Sequence, residues 1–445
     1  MKIASYPSYR PSHIGWIRDI PKHWELKRLK YIANRSEAKV DADEDNPLQY
    51  IGLENVESWT GRLLHLDEDL VPTGIANRFE SGDTLFGKLR PYLAKACNVD
   101  FQGLCSSELL VLRGNTYDRN FLLYQLLSHG FINLVNSSTY GSKMPRASWD
   151  FIGVCELPLP PIEEQQAIAC FLDTQTARID ALLAKNHELI NKLEEERSAL
   201  IARTVTRGLP PDVAQAAGLE PHPVMKNSGV EWLNFVPAHW GVTRLGFLCA
   251  KIGSGKTPHG GADVYTDEGI MFLRSQNIYD EGFMLNDVVY ITEEIDNEMQ
   301  NTRVKPRDIL LNVTGASLGR TCIVPTEFIY ANVNQHVCII RLADLNLSSF
   351  IAWVIKAPFI KAQIEAIQSG AAREGLNFDQ ISKFILALPP LVEQHAIATY
   401  LDRETAHIDQ LTAKVETAIE RLTEYRQALI TSAVTGKINV LEIAQ

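Results

Sequence analysis

The sequence predicts an α+β fold: two duplicated mixed α/β domains joined by two long helices that pair as an antiparallel coiled coil, with pseudo-two-fold symmetry. Three observations carry that prediction. The chain of 445 residues repeats itself, with matching blocks near the start and end of each half. Between those blocks each half holds short β-type runs and amphipathic helical runs. After each Pro-rich stop comes an unbroken helical pattern with apolar positions on a 3.5-residue period.

The duplication is explicit in three blocks. Residues 12–29, SHIGWIRDIPKHWELKRL, match 228–245, SGVEWLNFVPAHWGVTRL, at 7 of 18 positions with an offset of 216. Residues 157–180, LPLPPIEEQQAIACFLDTQTARID, match 386–409, LALPPLVEQHAIATYLDRETAHID, at 15 of 24 with an offset of 229. Composition alone gives roughly one or two matches per window, so a repeat is established. A third block, SALIARTVT (198–206) against QALITSAVT (427–435), keeps the second offset. The drift of 13 residues, from 216 to 229, falls in the diverged middles. Echoes survive there. GDTLFGKLRPYLAKACNV (82–99) parallels RDILLNVTGASLGRTCIV (307–324), keeping Asp83/Asp308 and Cys97/Cys322. SSELLVLR (106–113) parallels NQHVCIIR (334–341), and KMPRASWDFI (143–152) parallels REGLNFDQI (373–381).

The domain limits follow: a first domain at 1–160, a first long helix at 161–206, a Pro- and Ala-rich linker at 207–227, a second domain at 228–390, a second long helix at 391–436 and a tail at 437–445. In the middles, 51–56, 109–114, 270–278 and 337–342 read as strands, and 121–135 and 350–364 as helices. The paired prolines before each long helix suit its first turn, where a missing N–H costs nothing. The expected inward apolar positions are Ile168, Leu172, Ile179, Leu182, Leu189, Leu193 and Leu200 in the first helix. In the second they are Ile397, Leu401, Ile408, Leu411, Val415, Leu422 and Leu429. Asn186 falls on the same seam, where a polar residue either fixes register or is merely tolerated.

Composition narrows the function. A net charge of −11 argues against non-specific coating of nucleic acid, which draws on Lys and Arg against phosphate. Seven scattered cysteines, with no CxxC pair, argue against a disulfide framework or a metal site and for reduced thiols in a cytoplasmic protein. No run is long enough to span a membrane, and the first residues lack the apolar core of a secretory signal. GSGKT (253–257) resembles the end of a phosphate-binding loop, but Ala250 stands where its first Gly belongs and Pro258 interrupts the helix that should follow. No other catalytic motif is present, so no catalytic residue is assigned. His23 and His239, beside Trp in the duplicated PxHW element, read as packing or turn residues.

What remains is a set of side chains of the types that contact phosphates and base edges, carried on the diverged middles. The first domain offers Lys88, Arg90, Tyr92 and Lys95, then Tyr140, Ser142, Lys143 and Arg146. The second offers Lys256, Thr257, Arg274, Ser275, Gln276 and Asn277, then Asn312, Thr314, Ser317, Arg320 and Arg373.

Nearly the whole chain resembles the specificity subunit of type I restriction–modification systems. The resemblance rests on the paired W-[IL]-x(3)-P-x-H-W-x(3)-R-L elements, the paired LPPxxEQxAIAxxLD helix starts and SGDTLFGKLRPYLAK. It implies that each variable domain is a target-recognition domain reading half of a bipartite site in double-stranded DNA, with the long helices as spacer. It also implies two methyltransferase subunits and two motor-nuclease restriction subunits as partners. S-adenosylmethionine, ATP and Mg²⁺ would then belong to those partners, with no cofactor and no catalysis in this chain. Where the second domain has its Gly253, Gly255, Thr257, Pro258 loop, the first has NRSEAKV (34–40) at the corresponding place, so the two domains are of different subtypes and their half-sites differ. By their residues alone, a duplicated coiled-coil scaffold binding proteins and an enzyme built around GSGKT stay open.

Overall fold

The computed structural model describes residues 5–42, 48–66, 74–114, 117–328, 330–368 and 375–442. Two compact units emerge. One comprises Met1–His187 with Glu416–Gln445, the other Glu188–Val415. Each unit thus holds one domain, the near part of the helix leaving that domain, and the far part of the other helix. The long helices are Ile162–Arg207 and Leu391–Val434.

In the first unit, Glu25–Arg28 pairs antiparallel with Glu156–Leu159, so the domain's beginning closes on its end. Between them lies an antiparallel sheet in the order Asn34–Arg35, Leu109–Arg113, Thr84–Gly87, Ala96–Asn98. A second sheet runs Lys39–Ala42, Gly74–Phe79, Gly103–Cys105, Tyr50–Ile51, its last pair parallel. The second unit repeats the plan. Gly241–Arg244 pairs with Ile385–Leu388, and the sheet order is Cys249–Ser254, Val337–Leu342, Ile309–Asn312, Thr321–Ile323. Its other main sheet runs Val289–Ile291, Ile270–Leu273, Ala331–Val333.

Local chemistry explains where elements stop short of the expected runs. The strand expected at 51–56 ends at Ile51, because Asn55 Oδ1 accepts from Gly52 N at 2.8 Å and bends 53–55 into a 3-10 turn. Asn277 does the same to Arg274 N at 3.0 Å, ending the strand at Leu273. The run 121–135 is two helices, Arg119–Leu126 and His129–Ser137, the first capped by Asp118. The run 350–364 breaks at Ala357 because Pro358 bars the residue before it from helical geometry. The linker carries a helix, Pro211–Ala216, and its end, Met225–Asn227, pairs with Phe235–Pro237. Five of the seven thiols, those of Cys97, Cys105, Cys249, Cys322 and Cys338, are pushed up to about 12 by burial, which keeps them protonated and inert. Among the described residues no helix is long and apolar enough to cross a membrane.

Within each unit the start of one long helix lies against the end of the other, the antiparallel order. In the first, Ile168, Leu172, Ile179, Leu429, Ile430, Ala433 and Val434 share a core. In the second, Ile201, Val205, Ile397, Ala398 and Leu401 do so. Leu193 and Ile408 are also buried, and Leu200, Leu411, Val415 and Leu422 are half-buried. Leu182 and Leu189 correct the expected seam: they are 49% and 43% exposed, while Leu183 and Ile190 turn inward. A 3.5-residue pattern drifts by about 20° per heptad on a straight helix of 3.6 residues per turn, so by mid-helix the neighbouring residue has taken over. Asn186 spends its amide on the Leu182 carbonyl of its own helix. Charge pairs cross between helices instead. Buried Arg426 donates Nε to Asp180 Oδ1 at 2.9 Å and Nη1 to the Trp59 carbonyl at 2.9 Å. Its repeat counterpart, Arg197, lies 3.4 Å from Asp409.

The three duplicated blocks meet at one clamp in each unit. Glu164, in the first turn of its helix, takes His23 Nε2 at 2.9 Å and the Trp24 indole N–H at 3.1 Å. Glu393 takes His239 Nε2 at 2.9 Å and the Trp240 N–H at 3.0 Å. Both carboxylates are buried, and a helix N-terminus favours their charge. The neighbouring Gln165 and Gln394 donate back to the Pro160 and Pro389 carbonyls at 2.8 and 2.7 Å. The far helix closes the clamp with its C-terminal glycine: Gly436, φ +71°, lies on Pro21 and Trp24, and Gly208, φ +89°, on Glu393 and Trp240.

Two pairs of variants test this packing by thermal unfolding. Leu172→Ala should destabilise by about 2–5 kcal/mol and Leu189→Ala by no more than about 0.5 kcal/mol; equal losses would restore the strict heptad. Gly208→Ala should cost about 1–2 kcal/mol for its left-handed backbone. Gly436→Ala should cost distinctly more, because its Cβ would also collide with Pro21.

Candidate nucleic-acid interface

In the first domain the two candidate stretches, far apart in sequence, are joined by backbone bonds. Arg90 N donates to the Pro145 carbonyl at 2.8 Å, Ala147 N to Lys88 O at 2.9 Å, and Tyr140 and Arg146 exchange both bonds at 3.1 Å. The edge so formed exposes Arg90, Tyr92, Tyr140, Ser142 and Lys143, with Lys88 half-buried beside them. Arg90 sits at φ +49°, a left-handed conformation that a non-glycine residue holds only when its surroundings enforce it. Two candidates are tied down. Lys95 Nζ donates to the Leu53 carbonyl at 2.6 Å, and Arg146 Nε bridges both Glu108 oxygens at 3.2 Å. A groove of about 360 Å³ adjoins the edge, lined by Lys88 with Arg35, Lys39, Asn77 and Ser107, four residues that the sequence reading missed.

The second domain gathers its loops in the same way. Asn334 N donates to the Leu273 carbonyl at 3.0 Å, Gly255 N to Val337 O at 3.2 Å and Val313 N to His336 O at 3.0 Å. Gly255 is required here, since a Cβ would collide with the Val333 carbonyl. Lys256, Thr257 and Gln276 are exposed; Ser275, Thr314 and Ser317 are half-buried. Arg320 lies over the Tyr279 ring at 4.6 Å, and Arg274 donates to the Asp287 carbonyl at 2.7 Å. Asn277 and Asn312 are corrections to the candidate set. Both are buried. Asn277 holds the 275–277 turn, and Asn312 Nδ2 donates to the Ser275 carbonyl at 2.8 Å, so neither reaches a ligand at the surface. Arg373 lies outside the described residues. Gln335 and His336, exposed and half-buried on the 334–336 loop, were missed. The echo between 106–113 and 334–341 was the signal, since it aligns them with Ser107 and Glu108.

At the end of the central strand pair opposite each edge lies the same ion pair. Arg113 makes two 2.7 Å bonds to buried Asp83, and Arg341 makes two 2.7 Å bonds to buried Asp308. Each aspartate also accepts a backbone N–H from the preceding turn, Glu80 N and Lys305 N. GSGKT ends a strand and is followed by Pro258 and the one-turn helix Gly261–Val264, not by the long helix that a phosphate loop caps.

Two like-built domains, each clamped to a long helix and carrying its own polar loop edge, define a tandem recognition protein rather than a single-site one. The sequence matches the type I restriction modification DNA specificity domain over residues 21–195 and 237–421. The chain therefore belongs to the family of type I restriction–modification specificity subunits and carries two of its DNA specificity domains. It is 25% identical over 351 residues to the EcoBI type I restriction enzyme specificity subunit of Escherichia coli, covering 76% of this chain and 69% of that one. It is 22% identical to the EcoKI specificity subunit of the K12 strain, covering 95% and 89%. A solved structure concerned with complex assembly and conformational transition of the type I R-M system contains a chain of the same fold. The TM-score is 0.70 at 20% identity, over 94% of this chain and 99% of that one.

Asp308→Ala would leave Arg341 without its carboxylate partner, with only the Arg303 carbonyl still accepting, and release the turn at Lys305. The expected loss is about 3–5 kcal/mol, read as a lowered unfolding midpoint. A midpoint within experimental error of the parent chain would mean that the pair does not anchor the sheet.

Proposed function

We propose that this chain is the non-catalytic DNA reader of a type I restriction–modification complex, each domain recognising one half of a bipartite asymmetric target. One observation carries the reading: the frame is kept twice, clamp and ion pair alike, while the polar edges differ residue by residue. A kept frame with two different edges suits one asymmetric site read in two parts. The basic and amide side chains at those edges supply phosphate and base contacts, and the acidic balance of the chain leaves much of the positive surface to partner subunits.

On this reading the two long helices set the gap between the half-sites and dock two methyltransferase subunits, with two restriction subunits joining for cleavage. S-adenosylmethionine, ATP and Mg²⁺ are bound by those partners, and this chain binds none of them.

Co-expression with the partner methyltransferase, followed by genome-wide mapping of N6-methyladenine, should return one bipartite motif with two different halves and a fixed unspecified gap. A continuous motif, or no new methylation beside an active partner, would overturn the proposal. Single variants should then separate the halves. Arg90→Ala and Lys143→Ala should alter or weaken only recognition of one half-site, and Lys256→Ala only the other. Where the replaced side chain binds a phosphate, the salt dependence of binding should fall by about one unit of log–log slope, without relaxing a base position.

A further inference from the structure

The edge of the second domain carries a hydrogen-bond chain that ends in solvent. Thr314 Oγ1 lies 2.6 Å from His336 Nδ1, and Gln335 Nε2 lies 3.0 Å from His336 Nε2. An amide nitrogen only donates, so His336 Nε2 accepts and the Nδ1–H is donated to Thr314 Oγ1. Gln335 thus spends one N–H on holding its own orientation. Among the described residues nothing takes its second N–H or its Oε1, and the side chain is exposed. One donor beside one acceptor in a single plane complements the major-groove edge of adenine, where N7 accepts and the N6 amino group donates.

The backbone under this chain has a counterpart in the first domain. Val313 N donates to His336 O at 3.0 Å, as Lys88 N donates to Glu108 O at 3.0 Å. The residue aligned with Gln335 is Ser107, also exposed, in the groove beside Lys88 and Asn77. The frame is the same and the outward side chain differs, as expected of a position that sets which base is accepted. Gly255 packs against the carbonyls of Val333 and Asn334, which brings the loop of Lys256 and Thr257 alongside.

We propose that Gln335 reads an adenine in the half-site of the second domain, with His336 and Thr314 as positioning residues that fix its amide. The inference rests on the DNA-reading function proposed above. Its test is methylation mapping of the full chain co-expressed with its methyltransferase, comparing wild type, Gln335→Ala, Gln335→Glu and His336→Phe. Gln335→Ala should lose about 5- to 160-fold of the preference for one A·T pair in one half-site and leave the other half unchanged. Gln335→Glu should move that position toward cytosine, whose N4 amino group donates to a carboxylate. His336→Phe should blur the same position less than Gln335→Ala does. A wild-type bipartite motif that persists unchanged in Gln335→Ala would overturn this inference and leave the function standing. Loss uniform over all sites, with an unchanged melting temperature, would make Gln335 a phosphate contact and also overturn it. A wild-type chain that directs no bipartite motif beside an active partner would remove both.

Discussion

In each half a buried carboxylate in the first turn of a long helix joins domain to helix. Glu164 and Glu393 each take a histidine nitrogen and an indole N–H from a PxHW turn, and each sits where the helix N-terminus favours negative charge. A charge buried this deeply is tolerable only when its hydrogen bonds are made, so the turn and the helix start cannot vary independently. The far helix adds its C-terminal glycine to the same spot, in a backbone conformation that other residues resist. That is why three separated blocks of sequence recur together: they are parts of one contact.

Away from the clamp the constraints loosen in stages. The Asp83–Arg113 and Asp308–Arg341 pairs tie the turn before one inner strand to the end of the inner strand beside it, and both partners persist in the repeat. Beyond that layer only backbone bonds are shared, such as those holding Lys88 to Glu108 and Val313 to His336. The side chains on those bonds differ completely: Glu108 binds Arg146 in one half, and His336 binds Thr314 and Gln335 in the other. Backbone bonds fix where a loop goes without dictating its side chains, which suits a surface that must differ between the two halves.

The fold class, the duplication, the two long helices and the family were legible in the sequence by itself. They rest on local or repeated features: proline at helix starts, apolar periodicity, and blocks kept because both ends of a buried contact must be kept. The clamp was half legible, since both motifs were visible but nothing in one dimension says that Glu164 meets Trp24. Only the tertiary structure decided which candidate side chains face outward. Asn277 and Asn312 have the chemistry of base readers and are spent on buried turns, whereas Gln335, on a short loop between strands, is outward. It also decided the helix seam. An ideal heptad and a straight helix differ by a few degrees per residue, too little to separate in sequence and enough over six turns to turn Leu182 and Leu189 toward solvent. Residue type and spacing specify which elements form, but which polar atoms remain free depends on every other donor and acceptor nearby, and those come from segments far apart in the chain.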